Sequence, residues 1–269
     1  MSTEQIVFGF LFSLFAGLST TIGAIAVFIM KKPSARFIGL SMGFSAGVMI
    51  GVSIFEMLPN ALEKLGILVG GISFLLGMVS VALLDFIVPH EYMKEQPYID
   101  DEEEEVEIDE KNGRLLRTGS LLALGIAIHN FPEGFVTMTG SLQSLELGLL
   151  LAVAIAFHNI PEGLSVAIPI YTVSGNKKKA FTLSFLSGLA EPIGAIIAVV
   201  VLFTLGTVNP DIIELSLAFV AGIMMFISID ELLPSAYESC NENGDTSHII
   251  TIGIIAGLAI ILLTIVLLK

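Results

Sequence analysis

The chain has 269 residues, of which 54% are hydrophobic and only 14% are charged, and its mean hydropathy is +0.89. Soluble domains contain about 45–50% apolar and about 25% charged residues, so this composition excludes an ordinary soluble fold and indicates a polytopic helical membrane protein. The net charge of −14 excludes a basic surface for nucleic acid, and the single Cys240 excludes an intrachain disulfide or a cysteine-rich metal site.

Eight apolar segments are long enough to cross a bilayer as helices, which takes about 20 residues. The first follows an N-terminus without basic residues and is too long for a secretory signal, so we expect it to be retained as a membrane helix. Strand-like alternation is missing, and we therefore predict an all-α integral membrane protein with eight transmembrane helices. In chain order, the predicted spans 1 to 8 are 6–30, 37–58, 65–88, 119–140, 145–171, 180–208, 212–237 and 249–268.

The basic residues predict the orientation of these spans. Ten of the twelve Lys and Arg residues lie in the odd-numbered loops between spans, and only Lys64 and Lys269 lie on the other side. Loops rich in Lys and Arg face the cytoplasm. We therefore expect a protein of the cell membrane whose N- and C-termini both lie outside.

A long polar segment, 89–118, separates spans 3 and 4. Nine of the 26 acidic residues lie between Asp100 and Glu110. Such a run is typical of a solvated, disordered cytoplasmic loop, and a weak collector or regulator of metal is the alternative. The predicted units on either side of this loop are a first three-helix repeat (1–88), a central helix pair (119–171) and a second three-helix repeat (172–269).

The two three-helix units resemble each other in sequence. Residues 46–63 of span 2 match residues 221–238 of span 7 at ten of 18 positions, and 13–25 of span 1 match 184–196 of span 6 at seven of 13. Spans 2 and 7 run in opposite directions through the membrane. The pattern therefore predicts an inverted repeat in a 3+2+3 arrangement, which transporters use to build similar gates on the two sides of one central site.

Spans 4 and 5 carry one motif twice, His-Asn-Phe-Pro-Glu-Gly at 129–134 and His-Asn-Ile-Pro-Glu-Gly at 158–163. The His and Glu are four residues apart and the Asn and Glu three, so each helix presents an imidazole, an amide and a carboxylate on one face. The prolines kink the helices, and the glycines let a neighbouring helix approach closely. If the two helices pack antiparallel, Glu133 and Glu162 could bridge two metal ions.

Ionisable residues inside these apolar spans indicate a binding site. Each carboxylate at the bilayer centre costs roughly 2.5–3.5 kcal/mol. The span cores contain no Lys or Arg, so either protonation or a bound cation must compensate, and this many acidic groups favours a polyvalent cation. Glu191 also departs from the repeat, because Thr20 is its counterpart in span 1. The mid-span residues are His129, Glu133, His158, Glu162 and Glu191.

Further acidic residues near the helix ends predict an entrance and an exit for the ion. Glu56 and Glu63 lie toward the outer end of span 2, while Asp230, Glu231 and Glu238 lie toward the cytoplasmic end of span 7. Each half also has a methionine two turns deeper, Met49 or Met224. Packing and transient soft ligation remain equal alternatives for these two thioethers.

The doubled motif resembles the fourth- and fifth-helix motifs of the ZIP family of divalent metal transporters, above all its bacterial ZupT and GufA-type branches. The resemblance covers essentially the whole chain. It implies an inner bundle of spans 2, 4, 5 and 7, a binuclear site at mid-membrane, alternating access by sliding of that bundle, and a homodimer. Some members of the family have Gln-Asp in place of His158-Asn159, which leaves the ligand set and metal preference of this chain open. The implied ligands of one ion are His129, Glu133, His158 and Glu162 with Met49 nearby, and those of the other are Asn130, Glu133, Asn159, Glu162 and Glu191.

The mixture of imidazole, carboxylate and amide suits transition metals better than Mg²⁺ or Ca²⁺. We expect Zn²⁺ first, with Fe²⁺, Mn²⁺, Co²⁺ and Cd²⁺ as further substrates carried into the cytoplasm, a lipid bilayer as the surroundings, and no cofactor. A membrane di-metal enzyme is one alternative, although its usual Glu-x-x-His order is reversed here. A passive channel is another, and its flux would not saturate at micromolar ion. A purely structural membrane protein is a third.

Overall fold

The computed structural model describes residues 2–29, 34–87, 127, 130–204, 210–240 and 247–268. All regular structure in these ranges is helical, as the composition predicts. The helices are Thr3–Ile29, Ala35–Val52, Leu58–Ile87, 130–143, Leu145–Ser174, Lys177–Gly188, Ala190–Thr204, Pro210–Ile227, Leu233–Cys240 and Ser247–Leu268, with π-helical turns at Ser53–Met57 and Ser228–Leu232.

Six helical segments among the described residues are long and apolar enough to cross a membrane. One of them, Arg36–Leu83, has 48 residues and contains predicted span 2 and most of predicted span 3. Of predicted span 4, only residues 127 and 130–140 lie in the described ranges, which is fewer than a crossing requires. The described residues thus show six such segments, and the count of eight spans stays a prediction.

The chain reverses direction at Gly66, between spans 2 and 3. Gly66 has φ +80° and ψ 159°, a backbone conformation that only glycine adopts readily. A Cβ placed on Gly70 would lie 3.0 Å from the side chain of Leu62 and 3.3 Å from the carbonyl oxygen of Ala61. In a continuous helix, nine residues rise about 13.5 Å, so this proximity requires a hairpin. The 48-residue segment is therefore two helices side by side.

Glycines of the two Pro-Glu-Gly motifs lie directly against neighbouring backbones, as predicted. A Cβ on Gly134 would be 1.8 Å from the carbonyl oxygen of Glu191, and one on Gly163 would be 1.8 Å from the carbonyl oxygen of Thr20. No side chain fits in such a gap. Span 4 is therefore in backbone contact with span 6, and span 5 with span 1, each beside the predicted ligands.

Close helix contacts of this kind connect spans 1, 4, 5 and 6 with one another, span 2 with span 8, and span 3 with span 7. The hairpin at Gly66 joins the last two pairs, because it places span 3 beside span 2. We call spans 1, 4, 5 and 6 the first group and spans 2, 3, 7 and 8 the second. Within the described ranges, every glycine whose added Cβ would fall within 3.0 Å of another helix's backbone meets a helix of its own group. These glycines are Gly17, Gly23, Gly134, Gly148, Gly163, Gly188 and Gly194 in the first group, and Gly43, Gly47, Gly77, Gly222, Gly253 and Gly257 in the second.

The contact between the two groups has a different character. Spans 2 and 5 meet there through an edge-on pair of rings, Phe44 and Phe157, whose centroids are 6.5 Å apart. Beside them, the Ser45 hydroxyl donates to the carbonyl oxygen of His158 over 3.3 Å. Side chains, rather than closely apposed backbones, therefore separate the groups at this point.

A proline explains why span 6 is interrupted close to Glu191. The helix Lys177–Gly188 ends in a turn at Leu189, and a new helix begins at Ala190. Pro192 has no backbone N–H and cannot bond to the carbonyl oxygen of Gly188, four residues earlier. That carbonyl oxygen lies against Gly17 of span 1 instead. The break thus places Glu191 in the first turn of a helix, in contact with span 1.

The π-helical turns occupy corresponding places in spans 2 and 7. Each ends one residue before a Leu-Pro pair, at Leu58-Pro59 and Leu233-Pro234, and the leucine N–H bonds five residues back, to Ser53 or Ser228. Because π-turns are frequent at functional sites, these two mark the helix segments that carry Glu56 and Glu231.

Candidate metal site

A buried cluster of possible metal ligands lies where span 4 meets span 5. Glu133, His158 and Glu162 each offer one ligand atom, and these atoms all lie within 4.8 Å of one another. The three side chains are at most 3% exposed. His158 and Glu162 share one helix face because they are four residues apart. The structure thus brings together one residue of the first motif and two of the second, as their spacing predicts.

His158 and Glu133 are in direct contact across the two helices. The imidazole Nε2 lies 2.9 Å from Glu133 Oε1. The other carboxylate oxygen of Glu133 is buried and has no hydrogen-bond partner among the described residues. A carboxylate with an unused, buried oxygen beside an imidazole is a suitable pair of ligands for a transition-metal dication.

The two asparagines of the motifs are held by main-chain carbonyl oxygens. Asn130 donates through its amide nitrogen to the carbonyl oxygen of Ser187 at 3.2 Å, and Asn159 donates likewise to Ala16 at 3.0 Å. Asn159 also donates to Glu191 Oε1. Since the amide nitrogens are occupied in this way, the amide oxygens are left to accept, and neither has a partner among the described residues.

The motif asparagines and two of the glutamates also have buried oxygens without partners. Asn130 Oδ1, Asn159 Oδ1, Glu133 Oε2 and Glu191 Oε2 are all buried without a donor in the part of the chain that the structure describes. A buried polar atom left without a partner is costly, about 1–3 kcal/mol for a neutral group and more for a charged one. A cation bound to any of these oxygens would supply the partner that the oxygen lacks.

The basic residues of the described ranges do not neutralise this cluster. They are confined to helix ends, at Arg36, Lys64 and Lys177 to Lys179. Lys64 forms an ion pair with Glu214, a buried carboxylate of span 7. Glu214 was not predicted as a site residue, although a carboxylate within an apolar span is the same signal that identified Glu133 and Glu191.

The methionines of the proposed route are both buried in the main apolar core. Met49 is 0% and Met224 1% exposed. Met49 lies one helical turn after Ser45, whose hydroxyl bonds to the His158 carbonyl oxygen. Met49 is therefore on the side of span 2 that approaches the cluster, and both readings of these thioethers, packing and transient ligation, remain compatible with this position.

The acidic residues near the helix ends differ in exposure. Glu56 is only 1% exposed and its Oε1 accepts a hydrogen bond from Asn60 Nδ2 at 2.9 Å, whereas Glu63 is exposed. On span 7, Asp230 is exposed and Glu231 is half-buried. His129, the side chain of Glu238 and the acidic loop lie outside the residues that can be described.

Comparison with known proteins places the whole chain in one family. The family model described as ZIP zinc transporter matches residues 5–265. Relatives named zinc transporter ZupT include proteins of Clostridium perfringens (strain 13 / Type A), Chlorobium luteolum and Streptococcus mutans, which are 43%, 45% and 42% identical to this chain. These matches cover 98%, 96% and 98% of this chain and 97%, 97% and 99% of the relatives. ZIP proteins are membrane transporters rather than enzymes. Together with the apolar helices and the buried cluster, these matches show that the chain belongs to the ZIP family of zinc transporters and is a multi-pass membrane protein.

Proposed function

We propose that this protein carries divalent transition-metal ions across the cell membrane into the cytoplasm. Zn²⁺ is the first substrate, in agreement with the names of its relatives, and Fe²⁺, Mn²⁺, Co²⁺ and Cd²⁺ are further substrates. The observation that carries the proposal is the buried cluster of Glu133, His158 and Glu162 in two apposed helices. Imidazole with carboxylates suits these metals, and their burial within apolar spans makes a cation the natural compensation.

The site holds two ions in this proposal. The first is bound by Glu133, His158 and Glu162, with His129 and Met49 as additional ligands. The second is bound by the oxygens of Asn130, Asn159 and Glu191, with Glu133 and Glu162 shared between both ions. Support for the second ion comes from the four buried acceptor oxygens without donors.

Eight membrane crossings in a 3+2+3 inverted repeat form the framework. The glycine contacts support the repeats found in sequence, because they occur in corresponding pairs. A Cβ added to Gly194 would lie 2.1 Å from the carbonyl oxygen of Phe131, just as one added to Gly23 would lie 2.0 Å from that of Ile160. Gly23 and Gly194 are repeat partners in spans 1 and 6, and Phe131 and Ile160 are motif partners in spans 4 and 5.

The contacts also pair span 3 with span 8, whose sequences show little similarity. Gly77 faces the Phe219 carbonyl oxygen and Gly257 faces that of Phe44, and Phe44 is the repeat counterpart of Phe219. Spans 2, 4, 5 and 7, the inner bundle implied by the family resemblance, are proposed to line the route of the ion. The close contacts, together with the hairpin at Gly66, group the helices differently, into spans 1, 4, 5, 6 and spans 2, 3, 7, 8.

Alternating access is proposed as a movement of the first group against the second. Close backbone contacts hold spans 1, 4, 5 and 6 together, and they hold spans 2, 3, 7 and 8 as two pairs that the Gly66 hairpin joins, so each group is expected to move as a unit. Both motifs belong to the first group, which would carry the ions with it. Orientation with both termini outside follows from the Lys and Arg distribution. A homodimer, which the family resemblance implies, is checked by the mass of the purified protein in detergent.

The decisive experiment is uptake of Zn²⁺, Fe²⁺, Mn²⁺ and Cd²⁺ into proteoliposomes by the wild type and by Glu133→Ala. We expect saturable wild-type uptake and a loss of at least about 100-fold in the variant, since one carboxylate serves both ions. Glu4→Ala is the control, because Glu4 is an exposed carboxylate at the start of span 1. Unchanged uptake in Glu133→Ala would refute the site, and uptake that rises without saturation would indicate a channel.

A further inference from the structure

A second polar site lies in a cavity at the end of span 2, apart from the central cluster. The cavity has a volume of about 310 Å³. Its wall on one side comes from spans 2 and 8, including Glu56, Asn60 and Leu268, and on the other from the turn between spans 4 and 5, including Gln143 and Glu146. The cavity therefore lies between the two helix groups.

The wall from span 2 presents a carboxylate held in place. Glu56 is 1% exposed, and its Oε1 accepts from the Asn60 amide nitrogen at 2.9 Å. That bond orients both side chains, because they are four residues apart on one helix face. Because the donor in this bond is the Asn60 amide nitrogen, the amide oxygen of Asn60 can serve as a ligand.

The opposite wall presents an amide and a second carboxylate. The Oε1 of Gln143 is buried and has no hydrogen-bond partner among the residues described. Glu146 is exposed in the first turn of the helix Leu145–Ser174. Ser144 caps the N-terminus of that helix, because its hydroxyl accepts a hydrogen bond from the Leu147 N–H at 3.1 Å.

We infer that this cavity is a capture site for divalent cations with a ligand set made only of oxygens, shared by the two helix groups. Its ligands are the carboxylates of Glu56 and Glu146 and the amide oxygens of Asn60 and Gln143. The inference rests on the proposed function, because it uses the proposed orientation of the protein, in which this end of span 2 faces outward. Glu56 was expected on the entrance route from sequence, whereas the three other ligands follow from the cavity.

The ligand chemistry makes this site less selective than the central one. Carboxylate and amide oxygens suit Ca²⁺ and Mg²⁺ as well as transition metals, whereas the imidazole of His158 suits the transition metals. A partly open site with two carboxylates is expected to bind Ca²⁺ with a dissociation constant on the order of millimolar, as in extracellular modules. External Ca²⁺ should therefore occupy the cavity and compete with Zn²⁺ without itself being carried.

The position between the groups couples capture to the state of the transporter. Glu56 and Asn60 belong to the second group, and Gln143 and Glu146 to the first. A movement of one group against the other changes the distances between these ligands. The complete ligand set is therefore available only while this side of the interface has the spacing seen here.

The first test measures initial Zn²⁺ uptake into proteoliposomes with and without external Ca²⁺. In the wild type, millimolar Ca²⁺ should raise the KM for Zn²⁺ about three- to tenfold and leave the maximal rate unchanged. In Glu146→Gln, the KM without Ca²⁺ should rise by a similar factor, and Ca²⁺ should have no further effect. An unaltered wild-type KM in Ca²⁺ would overturn the inference.

Glu4→Gln provides the matched control. Glu4 is also an exposed carboxylate, in the first turn of the helix Thr3–Ile29, which is expected to begin on the same side of the membrane, but it does not line the cavity. Its KM and its response to Ca²⁺ should equal those of the wild type. Equal effects of Glu4→Gln and Glu146→Gln would show a general influence of surface charge and would refute a specific site.

A direct binding measurement separates this inference from the proposed transport. Calorimetric titration of the purified protein with Ca²⁺ should detect a binding event that Glu56→Gln and Glu146→Gln weaken and Glu133→Ala leaves intact. Loss of this event in Glu133→Ala alone would assign Ca²⁺ to the central cluster and overturn the capture site. If the wild type binds Ca²⁺ in this way but carries no Zn²⁺, only the proposed transport fails.

Discussion

At the scale of single residues, the candidate site depends on which atoms of each side chain are already occupied. Asn130 and Asn159 both use their amide nitrogens on main-chain carbonyl oxygens, and this leaves their oxygens for a cation. The same amides with the opposite orientation would repel a metal ion. Hydrogen bonds to the backbone thus determine that the oxygen of each amide is the atom available to the proposed ion.

The role of Asn159 is tested by a pair of substitutions. Asn159→Leu removes the oxygen ligand and the donor to Glu191, so Zn²⁺ affinity is expected to fall by about 10–100-fold. Asn159→Asp keeps an oxygen at the same place. It should therefore bind Zn²⁺ at least about ten times more tightly than the leucine variant. Calorimetric titration with Zn²⁺ provides the measurement. Equal affinities of the two variants would show that this side chain is not a ligand.

Proton competition is a second prediction at this scale. Metal binding requires a neutral imidazole and ionised carboxylates, so protons and Zn²⁺ compete for His158, Glu133 and Glu162. Lowering the pH from about 7.5 to about 5.5, across the range in which an ordinary imidazole becomes protonated, should weaken binding at least about tenfold. The dependence should be shallower in His158→Gln, which has one titrating ligand fewer. Binding measured at fixed free Zn²⁺ that is independent of pH would contradict this.

The residues of the central cluster were largely predictable from sequence because the doubled motif states their identity and spacing. The outer cavity was not, because Gln143 and Glu146 meet Glu56 only through the packing of distant segments. Glu214 shows a different limit. Its carboxylate was visible in span 7, but its pairing with Lys64 depends on the hairpin at Gly66 and on the helix packed beside it.

At the scale of helices, glycine positions determine how closely the ligand-bearing segments approach one another. Gly163 lies against the Thr20 carbonyl oxygen, so span 5 can contact span 1 at the level of Asn159 and Glu162. The sequence predicted this approach from the motif glycines. The partner helices could not be predicted, because a glycine permits contact on one face without specifying which helix fills it.

Gly163→Ala is expected to destabilise the protein by about 1–3 kcal/mol, since the added methyl group would overlap a backbone oxygen. Gly71→Ala is the matched control. Gly71 is also helical, and a Cβ there meets nothing within 4 Å, so the protein should be unchanged or slightly more stable. Thermal unfolding in detergent measures both. A Gly163→Ala variant as stable as Gly71→Ala would contradict the close packing of spans 1 and 5.

Helix ends and interruptions were less predictable than helix existence. The predicted span 6 begins at 180, whereas the helix begins at Lys177, where the Asn176 side chain accepts from the Lys179 N–H at 3.0 Å. The π-turns of spans 2 and 7 were not anticipated. Both precede a Leu-Pro pair, but a proline by itself is equally compatible with a kink.

At the scale of the whole molecule, the division into two groups predicts where a covalent link would stop transport. Cysteines that replace Phe44 and Phe157 would lie on opposite sides of the boundary between the two groups. Cysteines that replace Ser73 and Leu215 would instead allow spans 3 and 7, which belong to one group, to be linked. Cys240→Ser is the background, because Cys240 is the one native cysteine.

A short bifunctional thiol reagent should abolish Zn²⁺ uptake in the first pair and leave it within about twofold in the second, because only the first link prevents movement between groups. Reduction should restore uptake if the link contains a disulfide. Mass spectrometry establishes that each link has formed. Full uptake with the Phe44–Phe157 link in place would exclude a movement at this boundary.

The proposed inverted repeat illustrates how sequence and structure contribute at this scale. Spans 2 and 7 retain enough identity for the repeat to be recognised, since Glu56, Pro59 and Glu63 recur as Glu231, Pro234 and Glu238. Spans 3 and 8 share few residues beyond Gly77 and Gly257, and their correspondence emerges only from the backbone oxygens that these glycines face. Surfaces that contact mainly apolar neighbours can exchange one aliphatic residue for another, which removes the sequence signal.

The tethering of the two asparagines to main-chain carbonyls has an evolutionary corollary. Ala16 and Ser187 hold the two proposed ligands through main-chain oxygens, which every amino acid possesses. Drift at these two positions is therefore limited by volume rather than by chemistry. We expect homologues to have different small residues at these two positions while the orientation of the two amides stays the same. A search for invariant neighbouring residues would therefore miss the carbonyl groups that orient the asparagine side chains.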